Sequence, residues 1–275
     1  MRSHAHSGRL LTSVGALALA LVLCGCAGTT PAEKIETTGS ISSASTTPPR
    51  HRTEAEWRRE AEGLGERYRA DPNNAEVAIQ YAQALRGMGQ RAQAAAVLEQ
   101  ASIQNPQNQA LLGAYGRALA DVGNYGQALD VLARAHTPEQ PDWRILSVQG
   151  AVLDQMGRHE EARNHYSSAL RIMPDEPSVL SNLGLSYALS KDLPKAEETL
   201  RRAAGQPAAE PKVRQNLALV VGLQGRFAEA ETIVRGDLSP DEAAANVAYL
   251  RQMLMQQKDW NKSNRRNAPP AQQRT

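Results

Sequence analysis

The sequence predicts an all-α, right-handed superhelical solenoid of paired helices, closed by a capping helix at each end. Three observations lead there. Start points at Ala75, Gln109, Trp143, Pro177 and Pro211 are 34 residues apart without an insertion. Small residues recur at fixed places in each unit: Ala82, Gly116, Gly150, Gly184 and Ala218 at the eighth position, and Ala94, Ala128, Ala162, Ala196 and Ala230 at the twentieth. Ala101, Ala135, Ala169 and Ala203 hold the twenty-seventh, where Asp237 is the departure. Small side chains at these intervals let two antiparallel helices cross closely. Apolar residues complete each unit at helical spacing, as in Tyr81 and Leu85, Tyr115 and Leu119, Leu183 and Tyr187, or Leu217 and Val221.

Taken in order, residues 54–70 read as a lone amphipathic helix carrying Trp57, Ala61, Leu64 and Tyr68, ahead of Pro72. Within each unit Gly89, Gly123, Gly157 and Gly225 mark the turn after the first helix, because glycine reaches positive φ without strain. Pro72, Pro106 and Pro174 stop a second helix and reset the chain; the spacing relaxes to Pro138 and Pro141 after the second unit and to Pro207 after the fourth. Ser239-Pro240-Asp241-Glu242 is a helix start, with a hydroxyl cap, proline in the first turn and acids at the positive end of the dipole. The helix it opens, expected over 240–254, carries Val247, Leu250 and Leu254 as a stripe covering the last unit. A polar tail over 255–275 is expected to be disordered, since it lacks apolar content to offset ordering.

This pattern resembles a tetratricopeptide-repeat array with units 75–108, 109–142, 143–176, 177–210 and 211–244 inside a domain of residues 54–254. One such unit cannot bury its apolar face alone, so neighbours must stack.

The amino terminus points to the cell envelope. Arg2 and Arg9 precede an apolar stretch at 10–23 that is short for a bilayer span, the form of a secretory signal over 1–25. It ends in Leu23-Cys24-Gly25-Cys26, which resembles the bacterial lipobox, in which the cysteine becomes the acylated first mature residue. Cys26 fits that role and Cys24 does not, because Leu23 would occupy the small-residue place. The alternative is an ordinary signal peptide with incidental cysteines. These two cysteines are the only ones in the chain, and residues two apart make an implausible structural disulfide. The resemblance implies a covalent lipid on Cys26 and no other cofactor. With no Asp after Cys26, it also implies an anchor in the bacterial outer membrane, facing the periplasm. Residues 26–53, rich in Ser, Thr and Pro, read as a tether with a reach of about 30 Å.

Charge argues against nucleic acid. The chain has 31 Lys and Arg against 29 Asp and Glu, and residues 54–254 have 21 basic and 26 acidic side chains, a net of −5. Only the tail is basic, through Lys258, Lys262, Arg265, Arg266 and Arg274. It serves either as a contact for lipid or peptidoglycan phosphates or simply as a solubilising end. No catalytic constellation stands out: the repeats lack cysteine, a His-Glu-x-x-His pair, a phosphate loop and a serine elbow. His159 and His165 lack the spacing of a metal pair on one helix face, so they read as a solvent-facing turn residue and a surface or inter-repeat residue. No metal, small-molecule substrate or enzymatic activity is expected.

Binding remains. By resemblance to such arrays, the first helix of each unit lines a concave groove. The candidates are Glu76, Ile79, Gln83 and Arg86 in the first unit, Arg117 and Asp121 in the second, and Arg144, Ala151 and Asp154 in the third. The fourth supplies Asn182, Leu185, Ala188 and Leu189; the fifth, Lys212, Gln215, Asn216, Leu219 and Leu223. Asn182 and Asn216 share the sixth position of successive units. An amide there either pairs with the backbone of an extended peptide or merely meets solvent or its own helix. The neighbouring leucines serve either the groove or inter-helix packing.

Residues 213–227 (Val213-Arg214-Gln215-Asn216-Leu217 through Gly225-Arg226-Phe227) and 241–254 (with Ala243-Ala244-Ala245-Asn246-Val247-Ala248-Tyr249-Leu250-Arg251) resemble the TadD-type lipoprotein of the Tad (tight adherence, Flp) pilus assembly system. The resemblance implies a non-enzymatic outer-membrane lipoprotein that binds a protein of the pilus machine, in the manner of a pilotin for the secretin channel. An envelope adaptor recruiting peptidoglycan enzymes is the alternative.

Overall fold

A computed structural model describes residues 52–267, with side chains described as far as residue 256. The expected signal, Cys26 and nearly all of the tether lie outside the described residues. Among the described residues there are twelve α-helices and no strand. Helix α1 spans Glu54–Ala70. Five helix pairs follow: α2 Ala75–Gly87 with α3 Arg91–Gln104, α4 Gln109–Asp121 with α5 Tyr125–Ala133, α6 Trp143–Gln155 with α7 His159–Ile172, α8 Pro177–Leu189 with α9 Leu193–Ala204, and α10 Pro211–Leu223 with α11 Phe227–Val234. Helix α12 spans Pro240–Asn267.

Four of the five pairs begin where the chain supplies a side-chain cap. Side chains of Asn74, Asn108, Asp142 and Glu176, again 34 residues apart, accept backbone N–H groups from the first turns of α2, α4, α6 and α8. Pro177 and Pro211 occupy the first turns of α8 and α10, where a missing N–H costs nothing. The turn inside each pair needs a left-handed residue. Four units use glycine, with φ between 76° and 86°, and the fourth unit uses Lys191 at φ 65°.

The small positions are where the helices of a pair meet. An added Cβ would lie 2.5 Å from Leu132 at Gly116, 2.6 Å from Tyr166 at Gly150 and 2.6 Å from Leu200 at Gly184. The bulky residue at the twenty-fourth position therefore seats on the residue at the eighth. Ala94, Ala128, Ala162, Ala196 and Ala230 are all fully buried behind this contact. Asp237, the exception at the twenty-seventh position, falls in the turn after α11. There its carboxylate takes two hydrogen bonds from Arg214 of α10, at 2.7 and 2.5 Å.

Both ends are capped. Thr53 and Glu56 form a capping box that starts α1, while Arg52 pairs with Glu60 at 2.5 Å and lies over the Trp57 ring. The last two residues assigned to the tether are thus held against α1. At the other end Ser239 and Glu242 form a second box, with Ser239 Oγ donating to Glu242 at 2.7 Å. Ala243 and Val247 of α12 are buried, and Leu250 packs against Gly222 of α10. One expectation needs correction: the helix expected over 240–254 continues to Asn267, so 255–267 is not the disordered tail. No glycine or proline interrupts the chain between Pro240 and Pro269, and Gln, Lys, Arg and Met are adequate helix formers.

Candidate protein-binding groove

First helices of neighbouring repeats touch one another (α2 with α4, α4 with α6, α6 with α8, α8 with α10), whereas among the described residues no two second helices touch. The stack therefore bends towards its first helices, which form the inner wall. The sequence candidates all stand on these five helices, but the structure gives them different tasks.

Arg86 and Asp121 form an ion pair between α2 and α4, so these two candidates bind each other. Arg117 is half-buried on α4 and makes no hydrogen bond or ion pair among the described residues. Burial, and next the Arg86 charge, lower its pKa below the ordinary arginine value. The Arg144 guanidinium lies 4.5 Å over the ring of Trp143. Asp154, offered as a groove residue, is a core group. Its carboxylate accepts from Tyr166 Oη at 2.9 Å and from Ser186 Oγ at 2.8 Å, and His159 Nδ1 lies 2.8 Å away. This corrects His159 as well, which joins the network instead of facing solvent. Burial and the Asp154 charge together push the Tyr166 hydroxyl pKa far up, in keeping with its role as a donor to Asp154. His165 keeps a buried Nδ1 without a partner, and burial, then His136, lower its pKa.

Asn182 Nδ2 donates to Ser147 Oγ at 3.2 Å, and Asn216 Nδ2 to Ser181 Oγ at 2.9 Å. Each amide thus ties its repeat to the fifth position of the preceding one. The carbonyl oxygens of both amides keep their acceptor capacity, because no hydrogen bond among the described residues uses them. Leu185, Leu219, Leu223, Gln215 and the two asparagines are half-buried, Lys212 is exposed, and Leu189 is 55% exposed. The upper wall is therefore mixed apolar and amide, the lower wall charged. Sequence reasoning missed Ser147 and Ser181, although serine at the fifth position with asparagine 35 residues later was a readable signal. It also missed His136, in the irregular connection after α5, and the stacking of Arg144 on Trp143, the first residue of α6.

Among the described residues no group of His, Cys, Asp and Glu could hold a metal ion. No described helix is long and apolar enough to cross a membrane.

Comparison with known proteins agrees with this geometry. A family model described as subunit 3 of the anaphase-promoting complex, or cyclosome, matches residues 58–135, and one described as a TPR repeat matches residues 150–190. No curated protein sequence matches the chain. The crystal structure of PilW, described as a widely conserved type IV pilus biogenesis factor, is similar with a TM-score of 0.59 at 14% identity, over 70% of this chain and 91% of that one. The tetratricopeptide-repeat protein TTC0263 of Thermus thermophilus is similar with a TM-score of 0.56 at 22% identity, over 65% of this chain and 99% of that one. The Cut9–Hcn1 hetero-tetramer of the APC/C is similar with a TM-score of 0.58 at 14% identity, over 73% of this chain but 40% of that one. At these identities the likeness concerns the fold. Five helix pairs in one 34-residue register, curved towards their first helices, give this chain the fold of a tetratricopeptide-repeat array.

Proposed function

We propose that this protein is a lipid-anchored scaffold of the bacterial outer membrane, facing the periplasm, that binds a protein partner along its inner wall and assists assembly of a Tad/Flp pilus. In this reading it acts as a pilotin-like factor for the secretin channel and catalyses nothing. The observation that carries the binding function is the inner wall itself. Across two successive repeats it presents amide oxygens with spare acceptor capacity beside exposed or half-exposed leucines, the combination an extended peptide needs for backbone pairing and side-chain burial. Anchoring rests on the lipobox-like Leu23-Cys24-Gly25-Cys26, and the pilus assignment on the resemblance of residues 213–254 to the Tad lipoprotein. The shared fold with PilW, a pilus biogenesis factor, fits that assignment.

Cys26→Ser in the native host tests the reading, through membrane fractionation and the recovery of secretin multimers. Release of the protein from the outer membrane with loss of multimers is the expected result. Unchanged membrane association with intact multimers would remove the piloting role.

A further inference from the structure

We propose that the junction between the second and third repeats is an anion pocket that takes an acidic side chain from the extended segment bound along the inner wall. The proposal rests on the peptide-binding reading above and narrows its ligand. Helix α5 ends at Ala133 after 9 residues, where α3 and α7 each run for 14. The chain crosses to α6 through an irregular connection containing Pro138 and Pro141. That connection leaves a cleft of about 490 Å³ whose lining includes His136, Gln140, Asp142, Trp143 and Arg144.

Several nitrogen groups in and beside this cleft lack a hydrogen-bond partner. His136 Nδ1 is buried with no hydrogen-bond partner. Arg144 packs its guanidinium on Trp143 and pairs with no carboxylate. Arg117, within the field of Arg144, Arg86, Asp121 and Asp142, is half-buried and equally unpaired. The two carboxylates nearby are already engaged: Asp121 by Arg86, and Asp142 by the backbone N–H of Arg144 at 2.7 Å. One unpaired guanidinium, Arg144, thus lines the cleft beside the partly engaged Asp142, and a second, Arg117, lies within their field without lining it, inside a domain whose net charge is −5. Arg144 is exposed, but a half-buried cation such as Arg117 without a counter-ion is unfavourable, and a carboxylate accepting from both arginines relieves that cost with charge-assisted hydrogen bonds. The cleft lies mid-array, with two repeats before the junction and three after it. A bound segment crosses it with a side chain rather than with its end.

The test sorts the full-length protein, in detergent, against bead-bound random decapeptides acetylated at one end and amidated at the other. The expected result is a set of bound sequences sharing one Glu or Asp position. Arg117→Gln combined with Arg144→Gln should abolish that acidic preference and weaken the best peptide at least tenfold, while Arg91→Gln, on an exposed arginine of α3, changes neither. Relief of repulsion should leave the thermal midpoint of the double variant equal to or above that of the parent. A lower midpoint would mark the arginines as structural and overturn the proposal. Bound peptides with no shared acid overturn the pocket but leave the groove standing. An acidic preference seen only when the carboxy-terminal end is unblocked assigns the cleft to chain ends and also overturns it. No bound peptide at all sinks both the pocket and the groove.

Discussion

Gly150→Ala puts a single methyl group where the third repeat closes. The new Cβ would lie 2.6 Å from Tyr166 Cε1 and 2.8 Å from Cζ. Carbon atoms settle about 3.5–4.0 Å apart, so the ring or a helix must move by about 1 Å. The ring is not free to do so. Tyr166 is 1% exposed, and its hydroxyl donates to the buried Asp154 carboxylate at 2.9 Å. Overpacking of this kind costs about 1–3 kcal/mol. Alanine returns about 1 kcal/mol through helix propensity. Pulling the hydroxyl from the carboxylate forfeits about 1.5–3 kcal/mol more. The net loss is about 1.5–5 kcal/mol, or a fall of about 0.8–2.5 M in urea midpoint at an m-value near 2 kcal/mol/M. Helical circular dichroism against urea is the assay. Gly63→Ala on α1, with nothing within 4 Å of the added Cβ, is the control and should gain about 0.5–1 kcal/mol. Adding Tyr166→Leu should recover part of the loss, since Ala82 with Leu98 is that pair in the first repeat. A Gly150→Ala midpoint at or above the parent's would refute the seating of position twenty-four on position eight.

Two other outcomes follow from the polar contacts. Hydrogen bonds from Arg226 foremost, then from Gln224 and Arg201, hold the Glu197 carboxyl at a pKa of about 2, down from 4.5. Because its folded pKa is depressed, its contribution is complete above about 4.5 and is lost as pH falls towards 2. Glu197→Gln should therefore flatten the pH dependence of the midpoint in that window, and an unchanged slope would count against the Glu197 cluster. Asn216→Ala and Ser181→Ala should each lower stability by about 0.5–1.5 kcal/mol, and the double variant by less than their sum. Strict additivity would mean that the 2.9 Å contact contributes nothing.

Much of the architecture was legible because repetition multiplies weak signals. A single Gly or Ala in a helix says little, but one or the other at the eighth place of all five units says that helices cross there. The site was less legible. Position alone put Arg86, Asp121 and Asp154 on the groove side, yet whether a charge faces a ligand or a neighbour depends on what the next repeat brings opposite it. Asp154 is satisfied by Tyr166 and Ser186, which lie 12 and 32 residues further along.

From the sequence by itself come the register, the caps, the closing points of each pair and the lipobox-like leader, since all of these are local or periodic properties of the chain. Tertiary structure alone decided which inner-wall groups remain unpaired and that the connection after α5 opens a cleft beside Arg144. The reason is physical. Periodicity dictates which face a side chain occupies, but its hydrogen-bond partners come from the neighbouring helix, whose angle of approach is set by packing over the whole stack.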